Sequence, residues 1–596
     1  MQVVLLMSVV LSVIFLTVYG AGIYPWSVLL VAVCLSGITC FCVYRKSCSA
    51  VAMIYGGRRS FYRVVFIAIV GFILLTLVPL PKPVTIITGA TRYKQNCTAA
   101  EIIDRAVKLD ICKPVPYWFS TTRNRAGTLR ILLLLAAVFS AFEAVQLLSW
   151  RNRMIYLHIM VVLGLIVAVL GYFSFAVWPQ GNKFWWLFSA VKSYNRYPVG
   201  GFLNINHYAG FTALLAIMAF GLAAVNLFAK HWGGSIFTFI SALIMSGMIA
   251  NATSRGALVA FGVGIFVLGI LVLAKARGGT RLIALSLIAL AIITTVTIGF
   301  RNPKVRERIA LLRHPYSDPG GNPRLNAWAG AFHLWKSYPL IGVGANAFKY
   351  GYLQHKDTHR RAYRRFAENE FFQILSEGGV IGIGLASVML FAILNVLFRN
   401  IYHKYGDNSV VKGESVGCID NRMISICAVA VLATAGAHSM FDFILHLPLY
   451  AILLATIISA CMPVQETTNW RKTSVTLMFM IAISLIPLLK PLTKFDKDGF
   501  VITADNNRLA KLFIWSPTNT VLWRRFGARI QRGNTPETKS LAKDILEQVT
   551  VYDPTNFNVW INLGKFRLKE GDKSGAKECF DRAKSIRIWA AVPKIE

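Results

Sequence analysis

Apolar residues in this 596-residue chain fall in long unbroken blocks, not in the alternating or 3.6-residue stripes of soluble elements. A helix needs about 18–20 consecutive apolar residues to cross a bilayer. Blocks of that kind lie at 3–22, 26–44, 64–82, 128–148, 155–176, 208–228, 235–252, 256–274, 281–300, 371–398, 423–440, 445–463 and 473–490. They predict an all-α, polytopic membrane protein with about thirteen transmembrane helices. The first block has no charged leader and no obvious small-residue cleavage site, so it is read as a retained helix and not as a signal peptide. Most polar intervals are short; the exceptions are 83–127, 177–207, 301–370 and everything after about 491.

Orientation follows from the basic residues in the short loops. Arg45, Lys46, Arg58 and Arg59 follow the second block, Arg151 and Arg153 the fourth, Lys275, Arg277 and Arg281 the eighth, and Arg471 and Lys472 the twelfth. Positive residues mark the cytoplasmic side. The expected N-terminus is therefore cytoplasmic, while 83–127, 177–207, the large and partly helical 301–370 and the C-terminal tail are extracytoplasmic.

Composition agrees and adds a partner class. Hydrophobic residues make up 55% of the chain and charged residues 15%, with a mean hydropathy of +0.54. That excludes both a multi-domain soluble enzyme and a disordered chain. Lys and Arg number 63 against 27 Asp and Glu, a net charge of +36. Such a surplus calls for an anionic partner. In a chain so largely apolar, phosphate-bearing lipid is expected, not nucleic acid. The segment 301–370 carries 13 Lys and Arg against 5 Asp and Glu, including RNPKVRER and HRRAYRR. It reads either as a cradle for a diphosphate, because guanidinium forks match phosphate oxygens in pairs, or as a long loop translocated regardless of charge. The ten cysteines include no CxxC pair. Cys97 and Cys112 share one extracytoplasmic segment, where a disulfide or two separate thiols are both open.

The tail, 492–596, reads as a separate soluble domain following a membrane domain of 1–491. Pro517-Thr-Asn-Thr-Val-Leu-Trp523-Arg-Arg-Phe-Gly527 recurs 37 residues later as Pro554-Thr-Asn-Phe-Asn-Val-Trp560-Ile-Asn-Leu-Gly564, followed by Gly571, Ala576, Phe580 and Ala583. The pattern resembles a tetratricopeptide repeat. Two such repeats are marginal alone, so they are expected to lean on the membrane domain or on a protein partner.

Candidate chemistry collects at the predicted outer ends of spans. Asn206 and His207 open one span in Asn204-Ile-Asn206-His207-Tyr-Ala-Gly210. Arg255 begins another in Asn251-Ala-Thr-Ser254-Arg255-Gly256. It is either functional, since a charge at that depth is costly, or an arginine snorkelling to the interface. Gly256 would let a bulky substrate approach the backbone. Arg324, Trp328 and Trp335 share a helical face in a segment that stops before Tyr338-Pro-Leu-Ile-Gly342-Val-Gly344. This stripe is either interfacial or carries a second phosphate-binding arginine. Glu368-Asn369-Glu370 stands where the basic segment re-enters the membrane, ahead of Glu377-Gly378-Gly379. Its acids read as proton acceptors or as helix caps. His438, Asp442 and His446 are spaced by four and share a face if the helix persists. They suggest zinc or a hydrogen-bonded network, and no metal site is expected from them.

The blocks Asn204–Gly210, Ser254–Gly256, Arg324–Gly344, Glu368–Gly379 and His438–Pro448, in that order and topology, resemble the O-antigen ligase/polymerase superfamily of bacterial membrane glycosyltransferases. The resemblance covers roughly 200–450. It implies a glycan donor linked to undecaprenyl diphosphate and transfer to an acceptor hydroxyl at the periplasmic face of the inner membrane, without metal, nucleotide or other cofactor. The acceptor is a lipid A core, a lipid-linked repeat or a protein Ser or Thr. Arg255 and Arg324 match the family's diphosphate-holding arginines. The family base is a histidine in a His-Asn pair, and here Glu368 stands before Asn369. The base is then Glu368, or else Glu370, His355 or His359. Asn206, His207, Trp328, His438 and Asp442 are candidate substrate contacts. The rival classes are a flippase of lipid-linked intermediates, which would also need outer arginines, and a non-catalytic scaffold displaying the tail.

Overall fold

The computed structural model describes residues 1–18, 25–47, 61–115, 119–177, 204–276, 322–355, 364–402, 421–463, 469–488, 505–533 and 535–587, with a few isolated positions besides. Among the described residues there are helices and no strands. In chain order these include α1 (Gln2–Val18), α2 (Pro25–Ser47), α3 (Phe61–Leu77), α4 (Lys82–Thr88), α5 (Ala90–Lys108), α6 (Arg125–Gln146), α7 (Trp150–Val177), α8 (Ile205–Phe228), α9 (Trp232–Asn251) and α10 (Arg255–Lys275). They continue with α11 (Asn322–Ser337), α12 (Phe348–Tyr352), α13 (Glu370–Tyr402), α14 (Asn421–Ser439), α15 (Pro448–Cys461) and α16 (Asn469–Ser484). The tail adds α17 (Asn506–Trp515), α18 (Thr520–Ile530), α19 (Pro536–Tyr552), α20 (Phe557–Lys569) and α21 (Lys573–Ile586).

Every predicted span coincides with one of these helices except 281–300, where half the positions lie outside the described residues and the described ones are helical. Among the described residues eight helices are long and apolar enough to cross a bilayer, and Gln2–Thr17, Phe61–Leu77 and Pro448–Cys461 are shorter apolar ones. Helices are the local answer to such sequences, because lipid offers no hydrogen-bond partner and each backbone group must be satisfied within its own segment.

The chain divides into two compact units, each built from three stretches. The first comprises Met1–Ile67, Leu133–Asp318 and Ser387–Pro487; the second comprises Ala68–Leu132, Pro319–Ala386 and Leu488–Glu596. In the first unit α8 is buried along nearly its whole length, against α7, α9, α10 and α14. Glycines let these helices touch. A Cβ on Gly221 would stand 2.3 Å from Cys427 Sγ, and one on Gly264 would stand 2.1 Å from Thr434 Oγ1.

An ionic knot ties several helix ends of this unit together. Glu143, near the end of α6, takes Arg63 Nε at 2.7 Å and Nη2 at 3.1 Å, and Arg471 Nε lies 2.6 Å away. All three side chains are buried. Arg153 donates to the carbonyls of Gln146, Leu148 and Met462 at 2.7, 3.2 and 2.8 Å, ending two helices. Arg153 and Arg471 are thus not the solvated loop charges that the sequence suggests. They are interior groups, and their contacts gather several helix ends of this unit.

In the second unit the tail helices share a core with α5. Ala99, Ile102, Ile103 and Ala106 pack with Leu509, Phe513, Trp523, Phe526, Ile545 and Val549. The two copies of the repeat make the same contacts. Trp523 Nε1 donates to Pro517 O at 2.7 Å and Trp560 Nε1 to Pro554 O at 2.9 Å. Gly527 lies under Ile545, and Gly564 under Phe580. The amphipathic α5 therefore supplies the neighbour that two repeats lack. Cys97 and Cys112 are both free, Cys97 exposed and Cys112 in this core. Cys97 is eleven residues from the end of α5 and Cys112 lies beyond it. At 1.5 Å per residue about 16 Å of helix runs from Cys97 to the end of α5, and the two thiols are not bridged.

Candidate functional site

Three of the five family-like blocks converge in the first unit. Asn204 caps α8, its side chain accepting from Asn206 N at 2.9 Å, and this places His207 in the first turn. His207 Nε2 lies 3.3 Å from Asp442 Oδ1, and its ring meets Phe443 edge-on at 5.2 Å. The predicted His438, Asp442, His446 row does not form. α14 stops at Ser439, and Ile444–His446 is a separate 3-10 turn. That break swings Asp442 towards α8 in place of a continued helical face. Burial raises the Asp442 pKa, but the charges of His207 and His438 and the Phe443 N–H outweigh it and bring the carboxyl to about 2. His438 packs on Gly210, where a Cβ would stand 2.6 Å from its ring.

Arg255 is the first residue of α10, after Ser254 and the left-handed Thr253 (φ 55°). Gly256 was expected to admit substrate; instead Phe441 occupies that approach, its Cβ 3.0 Å from a Cβ built on Gly256. The α9–α10 turn therefore abuts the same 440–443 turn that holds Asp442.

The other two blocks converge in the second unit. α13 is broken at Gly379, with φ 62° and ψ −160° inside an otherwise continuous helix. The break frees backbone groups that pair with the turn following α11. Val343 N and Gly344 N donate to Ser376 O and Glu377 O at 3.0 and 2.9 Å, while Val380 N and Ile381 N donate to Pro339 O and Leu340 O at 2.9 and 3.1 Å. Glycine is required on both sides. Gly342 also has φ 62°, and a Cβ there would lie 2.2 Å from Glu377 C; one on Gly379 would lie 2.4 Å from Leu340 C. Glu377 completes the clasp, taking Asn346 N at 2.7 Å and Phe348 N at 3.0 Å, with Gln373 Nε2 at 2.7 Å. This joins two motifs whose relation is not legible in the sequence, and it gives Glu377 and Gln373 roles that sequence reasoning missed.

At the start of the same helix Glu368 holds two arginines. Arg324 Nε is 2.9 Å from Oε2, and Arg364 Nη1 pairs with Oε1. Glu368 itself is left-handed, φ 53°, unusual for a residue with a Cβ. The two ion pairs hold it there. Asn369 caps α13, its Oδ1 accepting from Phe371 N and Phe372 N at 2.9 and 3.1 Å. Glu370 is buried in the first turn. One turn along α11 from Arg324, Trp328 stacks on Phe372 with ring centroids 5.9 Å apart. His355 lies beside His333 at 6.1 Å between ring centroids. Burial first, and His333 second, lower its pKa, and its Nε2 has no hydrogen-bond partner among the described residues. His359, most of RNPKVRER and most of 177–207 lie outside the described residues. Among the described residues no three His, Cys, Asp or Glu are grouped to hold a metal ion. Arg364 was only one of many charges in HRRAYRR, and nothing local singled it out.

The second-unit cluster lies within a recognisable family segment. No curated protein matches the chain. Residues 240–387 match the family model described as O-antigen ligase, which places this segment of a helical membrane protein in the O-antigen ligase/polymerase superfamily.

Proposed function

We propose that the protein transfers a glycan from undecaprenyl diphosphate to an acceptor hydroxyl at the periplasmic face of the inner membrane, in lipopolysaccharide or surface-polysaccharide assembly. The observation that carries this reading is the Arg324–Glu368–Arg364 cluster inside the matched segment. Arg324 meets Glu368 through Nε, which leaves its terminal nitrogens for phosphate oxygens. The resemblance adds Arg255, the first residue of α10, as a further donor-binding arginine. The N-terminus is cytoplasmic and the tail periplasmic, as the basic loops indicate.

The diphosphate is already a good leaving group. Arginines stabilise its growing charge, and a base has only to deprotonate the incoming hydroxyl, in a single inverting displacement. Both Glu368 oxygens are engaged by guanidinium groups, so Glu368 acts as a brace for the arginines. Proton acceptance falls to His355, a neutral half-buried imidazole, with Glu370 as the alternative. Asn206, His207, Trp328, His438 and Asp442 contact substrate or position those that do, and the tail repeats dock a protein partner. No metal or cofactor takes part.

The test is purified protein in proteoliposomes with lipid-linked oligosaccharide and, in separate arms, a lipid A core, a second lipid-linked repeat and a Ser/Thr peptide. One arm should yield glycan transfer with release of undecaprenyl diphosphate, unaffected by a strong chelator. Movement of the donor across the bilayer without transfer to any acceptor would overturn the proposal in favour of a flippase.

A further inference from the structure

The second unit buries two arginines that the transfer chemistry does not use. Arg92, on α5, and Arg123, just before α6, are both fully shielded from solvent. Their hydrogen-bond partners are all neutral. Arg92 Nη1 donates to Thr88 O and Oγ1 at 3.2 and 3.1 Å, and Nη2 donates to Gly342 O. Its guanidinium lies 5.2 Å from the centroid of the Tyr338 ring. Arg123 Nη1 donates to Asn96 Oδ1 at 2.7 Å. Arg123 Nε and Nη2 and Arg92 Nε are buried without a hydrogen-bond partner among the described residues, and no carboxylate there pairs with either side chain.

This arrangement is costly as it stands. A guanidinium does not shed its proton, and two buried positive charges without a counter-charge repel each other in a medium that screens poorly. Burial first, and the charge of Arg123 second, bring the Arg92 pKa down to about 9. The unused groups are specific in shape. With Nη1 held by Asn96, the edge of Arg123 left over is the Nε/Nη2 fork, whose two parallel N–H groups match two oxygens of one oxyanion.

We propose that Arg92 and Arg123 form a buried oxyanion site that takes a phosphate group, with the Nε/Nη2 edge of Arg123 as its fork and Arg92 Nε as a third donor. The place suggests what it does. Arg92 holds Gly342 O, and Arg123 N donates to Val343 O at 2.8 Å, so both residues back the turn that clasps α13. Arg123 O in turn accepts from Ser516 Oγ of the tail at 2.9 Å. An anion here would stiffen the clasp and its link to the tail together. The phosphate is either free or carried on a lipid.

Thermal unfolding of the full chain in neutral detergent, exchanged into gluconate buffer, tests this. Inorganic phosphate, chloride at matched ionic strength and short-chain phosphatidic acid are titrated separately. Inorganic phosphate should give a saturable rise of a few degrees that chloride does not, since a ligand of the folded state raises its midpoint by mass action. A rise with phosphatidic acid alone would identify the lipid as the source. Arg123→Lys keeps the charge but removes the fork, and it should abolish the response, as should Arg92→Gln. Equal responses to chloride and to both phosphates, or a phosphate response that survives Arg123→Lys, would overturn the proposal. So would an Arg123→Met protein that is more stable than wild type in every buffer, because the charge would then be merely uncompensated.

Discussion

The role of Glu368 is decided by a double-mutant cycle with Arg324. Three proteins are compared with wild type: Glu368→Gln, Arg324→Lys and the two together. The Arg324 Nε to Glu368 Oε2 distance is 2.9 Å, and the side chains are 21% and 18% exposed. A charge-assisted hydrogen bond contributes about 1.5–3 kcal/mol when shielded and less when water screens it, so we take about 1–2 kcal/mol of coupling here. At 1.4 kcal/mol per decade that is roughly five- to thirtyfold in the measured constant. If Glu368 braces Arg324, each single change should weaken donor affinity and turnover together. The double variant should then be little worse than the poorer single one, the coupling having been lost once. If Glu368 is the base, donor affinity should persist in Glu368→Gln, turnover should fall about 10²–10⁴-fold, and the Arg324→Lys effect should multiply with it. Donor binding to the detergent-solubilised protein and transfer in proteoliposomes measure the two quantities separately. Additive free energies with intact donor affinity in Glu368→Gln would refute the brace.

Three further outcomes follow from the geometry. Gly379→Ala places a methyl against Leu340 at φ 62° and should cost about 2–5 kcal/mol of stability by thermal unfolding, whereas Gly384→Ala, which meets nothing within 4 Å, should be nearly neutral. Glu143→Gln leaves Arg63 and Arg471 buried without their counter-charge and should cost about 3–5 kcal/mol; a midpoint within a degree of wild type would contradict the knot. Asp442, at about 2 against an ordinary 3.8, lends stability that is fully present above the ordinary value and lost as pH falls through about 2. Wild type should therefore lose stability between those limits by about 2 kcal/mol more than Asp442→Asn, as acid unfolding would show.

Much of the architecture is local and was legible along the chain. Apolar blocks of spanning length become helices because lipid leaves the backbone no other partner, so α1, α2, α6 to α10 and α13 to α16 fall where hydropathy puts them. The tail repeat was legible for a similar reason: Trp523 and Trp560 bond the same carbonyl six residues back, a contact written within each copy. The site was legible only as blocks. Which block meets which depends on where helices break. The end of α14 at Ser439 turns Asp442 onto His207, 235 residues away, in place of the row with His438 and His446 that spacing alone suggests. The left-handed Gly379 releases backbone groups that the turn around Gly342 takes up. Charge type was readable, but charge pairing was not. Arg153 and Arg471 look like loop residues until Glu143 and the helix-end carbonyls claim them, and Arg364 stands out from its basic neighbours only because Glu368 lies within its reach. Composition and hydropathy settle what a segment must bury. The choice of partner is a long-range closure, and only the packed helices decide it.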